Sequence, residues 1–187
     1  MLTKIIALLE SLIFRIRATC DRYSRSSNNL NVYWWRSRRN LGDALNPILI
    51  SFLAGDRKVR WAPNNFRASH YLAIGSILHN ATHNSIVWGS GFIREDDRPA
   101  SRPAQVLAVR GPKTRDRLLE LGIACPPVYG DPALLLPLYF NPEVNPRYEL
   151  GLIPHYVDKN RPFFHQPFPE DFLLIDIETK DIKSFIE

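Results

Sequence analysis

The chain has 187 residues, 45% of them hydrophobic, and a formal net charge of +5. That is length enough to bury a core and a composition that excludes a disordered or fibrous chain. The charge is uneven: residues 1–40 hold eight Lys and Arg against two carboxylates, a net +6, and the remainder sums to −1. The basicity belongs to the amino-terminal segment, so the body does not read as a nucleic-acid binder. Cys20 and Cys125 form no CxxC or Cys/His grouping. This argues against a disulfide framework or a structural zinc and suits a reducing compartment.

Residues 2–17, LTKIIALLESLIFRIR, space Leu2, Ile5, Ile6, Leu9, Leu12, Ile13 and Ile16 as a helix would, with charges interrupting. The apolar run is too short to span a bilayer, and no signal-peptide pattern is present. Two readings stand: an amphipathic helix packed on the body, or one lying through residues 1–25 on an anionic membrane surface. Residues 21–29 are polar and read as a linker. NVYWW at 31–35 is the first strand of the body, and RSRRNLGD is the loop after it. Asp43 is expected to cap a helix over 44–53, with Pro47 in its first turn. A strand, a loop containing Gly42 and a helix amino terminus make a potential anion site, with Arg36, Arg38 and Arg39 beside it. One glycine is neither a dinucleotide fingerprint nor a Walker motif. YLAIGSIL at 71–78 and SIVW at 85–88 read as buried strands, the second ending in Gly89-Ser90-Gly91, where a ligand or another backbone can approach closely. His79 and His83 lie in a polar loop without a carboxylate partner, so no metal site is expected there.

Residues 105–137 form the most legible unit. QVLAV is a strand ending at Arg110-Gly111-Pro112, residues 113–121 have the helical period, Gly122 is the expected C-cap, and 127–129 is a second strand ending at Gly130-Asp131-Pro132. This is a βαβ crossover, which sets Arg110 and Asp131 at carboxyl ends of parallel strands, where α/β sheets bind ligands; the alternatives are a solvated turn arginine and a turn-former beside Pro132. After Pro137 the Pro- and Asn-rich PLYFNPEVNPRY reads as a domain linker. Strands follow over 148–157 and 172–177, and a helix begins at 181.

The expected class is α/β: a Rossmann-like parallel sheet flanked by helices, followed by the incomplete start of a second Rossmann-like domain. The expected division is a basic amphipathic helix and linker over 1–30, a first domain over 31–140, and an incomplete second domain over 148–187.

With these residues laid out, the chain resembles the polysaccharide pyruvyl transferase family. The matching pieces are Asn40-Leu41-Gly42-Asp43 with Leu45-Asn46, Ala73-Ile74-Gly75-Ser76-Ile77-Leu78, Val87-Trp88-Gly89-Ser90-Gly91, Val109-Arg110-Gly111-Pro112, Tyr129-Gly130-Asp131-Pro132-Ala133 and Gly151-Leu152-Ile153-Pro154-His155-Tyr156. Each is short; six in this order make the signal. The resemblance implies two Rossmann-like domains facing across a cleft, as in GT-B glycosyltransferases. It implies transfer of a pyruvyl group from phosphoenolpyruvate to two sugar hydroxyls as a ketal, with phosphate released and no cofactor. The acceptor implied is a saccharide, lipid-linked or part of a cell-wall polymer; the expected setting is cytoplasmic, with a peripheral position at the inner face of the cell membrane as the alternative. Such a donor needs arginines and helix amino termini for its anions, and an acid and a base for proton transfer. On this basis Asn40, Gly42, Asp43, Gly89, Ser90, Gly91, Arg110 and Gly111 are expected to bind substrate, with Arg110 as an anion contact. His155 is expected as an acid–base or phosphate contact, with a hinge histidine as the alternative, and Asp131 as the group orienting a sugar hydroxyl.

Nothing here matches the family's later Ser/Arg-x-His-Gly type segment, so the sequence reads as truncated relative to the family. Little transferase activity is expected of it alone, and a partner supplying the other half of the cleft is one resolution. Two other readings stand beside the transferase: a GT-B-like glycosyltransferase using a nucleotide sugar, and a non-catalytic remnant or accessory subunit.

Overall fold

The computed structural model describes residues 28–37, 40–63, 67–143 and 145–178. The readings for residues 1–25, for Arg38 and Arg39, and for a helix from 181 lie outside the described residues. Strands β1 (Asn29–Tyr33), β2 (Lys58–Trp61), β3 (His70–Leu72), β4 (Ser85–Trp88) and β5 (Gln105–Ala108) form one sheet in the order β2-β1-β3-β4-β5. Every pairing is parallel. Val109 bridges Tyr129 in parallel, with Val109 N–H donating to Val128 at 3.0 Å and Gly130 N–H to Val109 at 3.1 Å, so the ladder continues for one step beyond β5. Helices α1 (Leu41–Ala54) and α2 (Pro112–Glu120) complete an α/β, Rossmann-like unit.

The period-two alternation of the strands divides the core between the sheet's two faces. Leu30, Val32, Tyr71, Ile86 and Trp88 pack with Leu45, Leu49 and Leu53 of α1 and with Leu135. Tyr33, Leu72, Val87 and Val109 pack with Leu78, Leu118 of α2 and Ile123. Between β4 and β5 the register jumps, Val87 opposing Val106 and Trp88 opposing Ala108. Leu107 is the extra residue of this bulge, and it resets the alternation just ahead of Arg110.

Several expectations are corrected: the first strand is Asn29–Tyr33 rather than 31–35, 127–129 gives a single bridge at Tyr129 rather than a strand, and the strands expected over 148–157 and 172–177 shorten to Leu150–Leu152 and Phe172–Leu174. YLAIGSIL is not one strand: β3 stops at Leu72 and the chain turns through Gly75 at φ +112° into a 3-10 turn at Leu78–Asn80. The cap of α1 is Asn40, whose side chain accepts the Asp43 N–H at 3.4 Å, so the helix begins three residues before the expected start. Pro47 then falls inside the helix, where it cannot donate to the Asp43 carbonyl. The Asn46 side-chain amide donates to that carbonyl instead, at 3.3 Å. The close of α2 is as expected: Gly122 at φ +69° donates to Leu119 at 2.9 Å and Ile123 to Leu118 at 2.9 Å, a Schellman motif.

Beyond residue 140, β6 (Leu150–Leu152) and β7 (Phe172–Leu174) form a separate parallel pair. Its tail meets the first unit where Leu41 N–H donates to the Ile177 carbonyl at 2.9 Å, beside the start of α1. Among the described residues no helix is long and apolar enough to cross a membrane.

Candidate functional site

In this strand order the chain leaves β1 toward β2 on one side and toward β3 on the other, a topological switch point whose crevice opens at the carboxyl ends of the strands. All five strands run the same way, so the turns after β1, β3, β4 and β5 share that edge. They carry Trp34 to Ser37 and Asn40 to Asp43, Ala73 to Ser76, Gly89 to Gly91, and Arg110 with Gly111.

Asn46 fixes the switch point. It is fully buried on the apolar face of α1, accepts the Ile74 N–H at 3.0 Å and donates to the Ile74 carbonyl at 3.1 Å. Both backbone groups that would otherwise seek a ladder are thereby satisfied by one side chain, and the segment after β3 is pulled onto α1. Asp43 stands one helical turn earlier, its Oδ1 3.7 Å from where a Cβ on Gly75 would sit. Its carboxylate accepts the Trp35 backbone N–H, but burial outweighs this bond and pushes the carboxyl from 3.8 up to about 6. Asp43 is thus a partly buried acid rather than the helix cap.

The turns after β3, β4 and β5 are tied together. Gly91 N–H donates to the Gly75 carbonyl at 3.1 Å and the Ser90 hydroxyl to the same carbonyl at 2.9 Å. Leu78 N–H donates to Gly91 at 3.1 Å and Arg110 N–H to Ser90 at 3.2 Å. Over this frame lies the Arg110 guanidinium, donating to the Ser76 hydroxyl at 2.6 Å and to the Phe92 carbonyl at 3.1 Å. A Cβ on Gly91 would meet the guanidinium at 3.0 Å, which is why glycine fits there. Gly89 adopts φ +91° and would drive a Cβ to 2.4 Å from the Pro132 ring.

Arg110 opens onto a cavity of about 760 Å³ that also takes in Arg94, Gly111, Lys113 and Thr114. Lys113 faces Glu95 at 3.5 Å and Arg117 faces Glu120 at 3.1 Å, whereas both side-chain hydrogen bonds of Arg110 go to neutral oxygens. Gly111 supplies no capping side chain to α2. An arginine whose charge meets no carboxylate among the described residues, beside a helix amino terminus without a side-chain cap, suits an anion. A second cavity of about 320 Å³ lies between the loop after β1 and the first turns of α1, lined by Trp34, Trp35, Arg36, Asn40, Asp43 and their neighbours.

The expected site residues therefore fall into groups. Asn40, Gly42 and Asp43 lie at the start of α1. Gly89, Ser90, Gly91, Arg110 and Gly111 lie on the interlocked turns, and Ser76 joins the two groups through Arg110. Asp131 caps the 3-10 turn Pro132–Leu138, its Oδ1 accepting the Ala133 N–H at 3.0 Å. His155 is exposed after β6, its Nδ1 accepting the Val157 N–H at 3.4 Å. This bond and its ring contact with Tyr156 stay within its own turn, away from Arg110 and Asp43. Among the described residues no three His, Cys, Asp or Glu side chains cluster as a metal site would require. Trp35, Asn46 and Ser76 were not singled out for the site from the sequence. Asn46 is detectable as an amide between Leu45 and Leu49 in an apolar stripe, and Trp35 as an aromatic at a strand end; Ser76 stands in the matching piece Ala73–Leu78, which assigns it no role.

A family model described as polysaccharide pyruvyl transferase matches residues 6–187. A curated protein of Acanthamoeba polyphaga mimivirus, "Uncharacterized protein L143", is 30% identical over 160 residues, which cover 81% of this chain and 54% of that protein. The chain thus spans about half the length of the relative it matches. No solved structure matches it.

Proposed function

The chain belongs to the polysaccharide pyruvyl transferase family, and on that premise we propose that its strand-end crevice binds phosphoenolpyruvate and supports pyruvyl transfer to a saccharide as a ketal. In that reaction the first sugar hydroxyl adds its oxygen to C2 of the donor and loses its proton to a base, while C3 gains a proton and becomes a methyl group. The second hydroxyl then displaces phosphate from the same carbon and loses its own proton. The charges to be held are a phosphate and a carboxylate, and Arg110 with the start of α2 is suited to them. The protons call for a group that exchanges them near neutral pH, and Asp43, at about 6, meets that requirement. Asp131 is proposed to orient a sugar hydroxyl, and His155 to give a further acid–base or phosphate contact.

The observation that carries this reading is Arg110, seated on neutral oxygens at 2.6 and 3.1 Å beside a helix start without a side-chain cap. The test is the melting temperature of the chain with and without millimolar phosphoenolpyruvate. A ligand that binds only the folded state at a hundred times its Kd adds about 2.7 kcal/mol. The expected result is a rise that disappears in Arg110→Ala. A rise with UDP- or GDP-sugars and none with phosphoenolpyruvate would replace this reading with nucleotide-sugar glycosyl transfer.

A further inference from the structure

Two cavities open at the same edge, and each has an arginine in its lining, Arg110 in one and Arg36 in the other. The cavity of about 320 Å³ beside α1 has a different character. Its wall is the Trp35 indole, 43% exposed at a position where β1 has already ended. The backbone under that ring is braced: the Trp61 indole N–H donates to the Trp34 carbonyl at 3.1 Å, and the Arg36 guanidinium lies 4.8 Å over the Trp61 ring. Asn40 and the half-buried Asp43 supply an amide and a carboxylate in the same space. Its volume lies at the lower end of the range for small-molecule sites, about 300–1,000 Å³.

We propose that this cavity is the saccharide subsite, a pyranose ring packing its C–H face on Trp35 with its hydroxyls on Asp43 and Asn40; the proposal rests on the pyruvyl-transfer reading above. An aromatic face is a platform for any flat apolar surface, so the carboxylate decides between ligands. A nucleotide base could stack on Trp35 too; its phosphates would be drawn to Arg36, whose guanidinium already lies over the Trp61 ring, and repelled by the half-buried Asp43 carboxylate. Neutral vicinal hydroxyls instead donate to a carboxylate and gain from it. The placement also joins the two substrates. Asp43 Oδ1 comes within 3.7 Å of where a Cβ on Gly75 would sit, and the next residue, Ser76, accepts from Arg110 at 2.6 Å, so two consecutive residues link the Asp43 and Arg110 sides. A sugar hydroxyl on Asp43 would then lie on the Gly75 side of an anion held by Arg110.

The test uses the whole chain with methyl glucoside, methyl galactoside, methyl mannoside and their disaccharides, read by saturation-transfer NMR and titration. The expected result is transfer to the ring C–H protons of at least one probe, with affinity falling about tenfold in Trp35→Ala and kept in Trp35→Phe. Arg110→Ala, which is expected to abolish the phosphoenolpyruvate shift, should leave the saccharide signal in place. Saccharide binding without a phosphoenolpyruvate shift supports the subsite and overturns the donor reading. A phosphoenolpyruvate shift with no saccharide signal, or with a signal that survives Trp35→Ala, overturns the subsite and leaves the donor reading standing. Absence of both signals overturns both.

Discussion

Replacing Asp43 by Asn should stabilise the protein, and only above a certain pH. The native state holds the Asp43 proton more tightly than the unfolded chain, because burial lifts the carboxyl from 3.8 to about 6. Stability linked to this group is therefore fully present below pH 3.8, declines as pH rises through about 6, and is lost above that. The full displacement corresponds to about 3 kcal/mol. The carboxylate is only partly buried, so solvent screening brings the expected effect to about 1–2 kcal/mol. Asn at this position keeps an oxygen for the Trp35 N–H and removes the charge. At pH 7.5 Asp43→Asn should therefore melt higher by about 3–6 °C, whereas at pH 4 the two proteins should coincide. Paired thermal melts across this range read the difference directly, and other titrating groups cancel in it. A variant no more stable at pH 7.5, or a gap that stays constant with pH, would refute the reasoning.

Asn46→Leu keeps the volume but strips the Ile74 N–H and carbonyl and the Asp43 carbonyl of their partner; urea denaturation should show a loss of about 3 kcal/mol, and a loss below about 1 kcal/mol would mean that water replaces the amide. Gly89→Ala forces a Cβ to 2.4 Å from Pro132 and 2.8 Å from the Gly130 carbonyl at φ +91°, at a cost of about 3 kcal/mol or more. Gly111→Ala, with φ −166° and nothing within 4 Å of the added carbon, should change stability by less than about 0.5 kcal/mol; equal losses for the two would contradict the packing described. His70 is buried, with Nδ1 donating to the Ala68 carbonyl at 3.0 Å and Nε2 accepting from the Ser85 hydroxyl at 2.8 Å, and burial lowers its pKa from 6.5. Its NMR titration midpoint should fall below 6.5, its share of stability being present above that pH and lost as pH falls beneath it; a midpoint at or above 6.5 would refute this.

Much of the frame was legible where local signals and burial agree. β4, β5 and α2 are short apolar or periodic runs punctuated by Gly and Pro, and Gly122 ends its helix by the rule that put it there. β2 was not legible: Lys58-Val59-Arg60-Trp61 pairs on one side only and is largely exposed, so nothing forces an apolar run. β3 read as too long because Ile74 and Ile77 are buried and apolar, yet Asn46 removes the Ile74 backbone from the ladder from 28 residues away. Asn40 and Asp43 are both good capping residues three apart. The choice fell to Asn40 while the Asp43 carboxylate accepts the Trp35 N–H. The anion side of the site was readable because strand, turn and helix follow one another in sequence. The Trp35 side was not, since NVYWW carries no mark that β1 ends at Tyr33.

The interlocked turns after β3, β4 and β5 also decide where disorder can still be lost. Gly75, Ser90, Gly91 and Arg110 hold one another before any ligand arrives, so the Arg110 guanidinium surrenders little rotational freedom when an anion meets it. Across the edge, Trp35 follows a backbone braced by the Trp61 N–H on the Trp34 carbonyl, and Asn40 is fixed as the cap of α1. A ligand that touches both sides then meets groups already placed, so its affinity is governed by charge, by shape and by the freedom its own bonds give up.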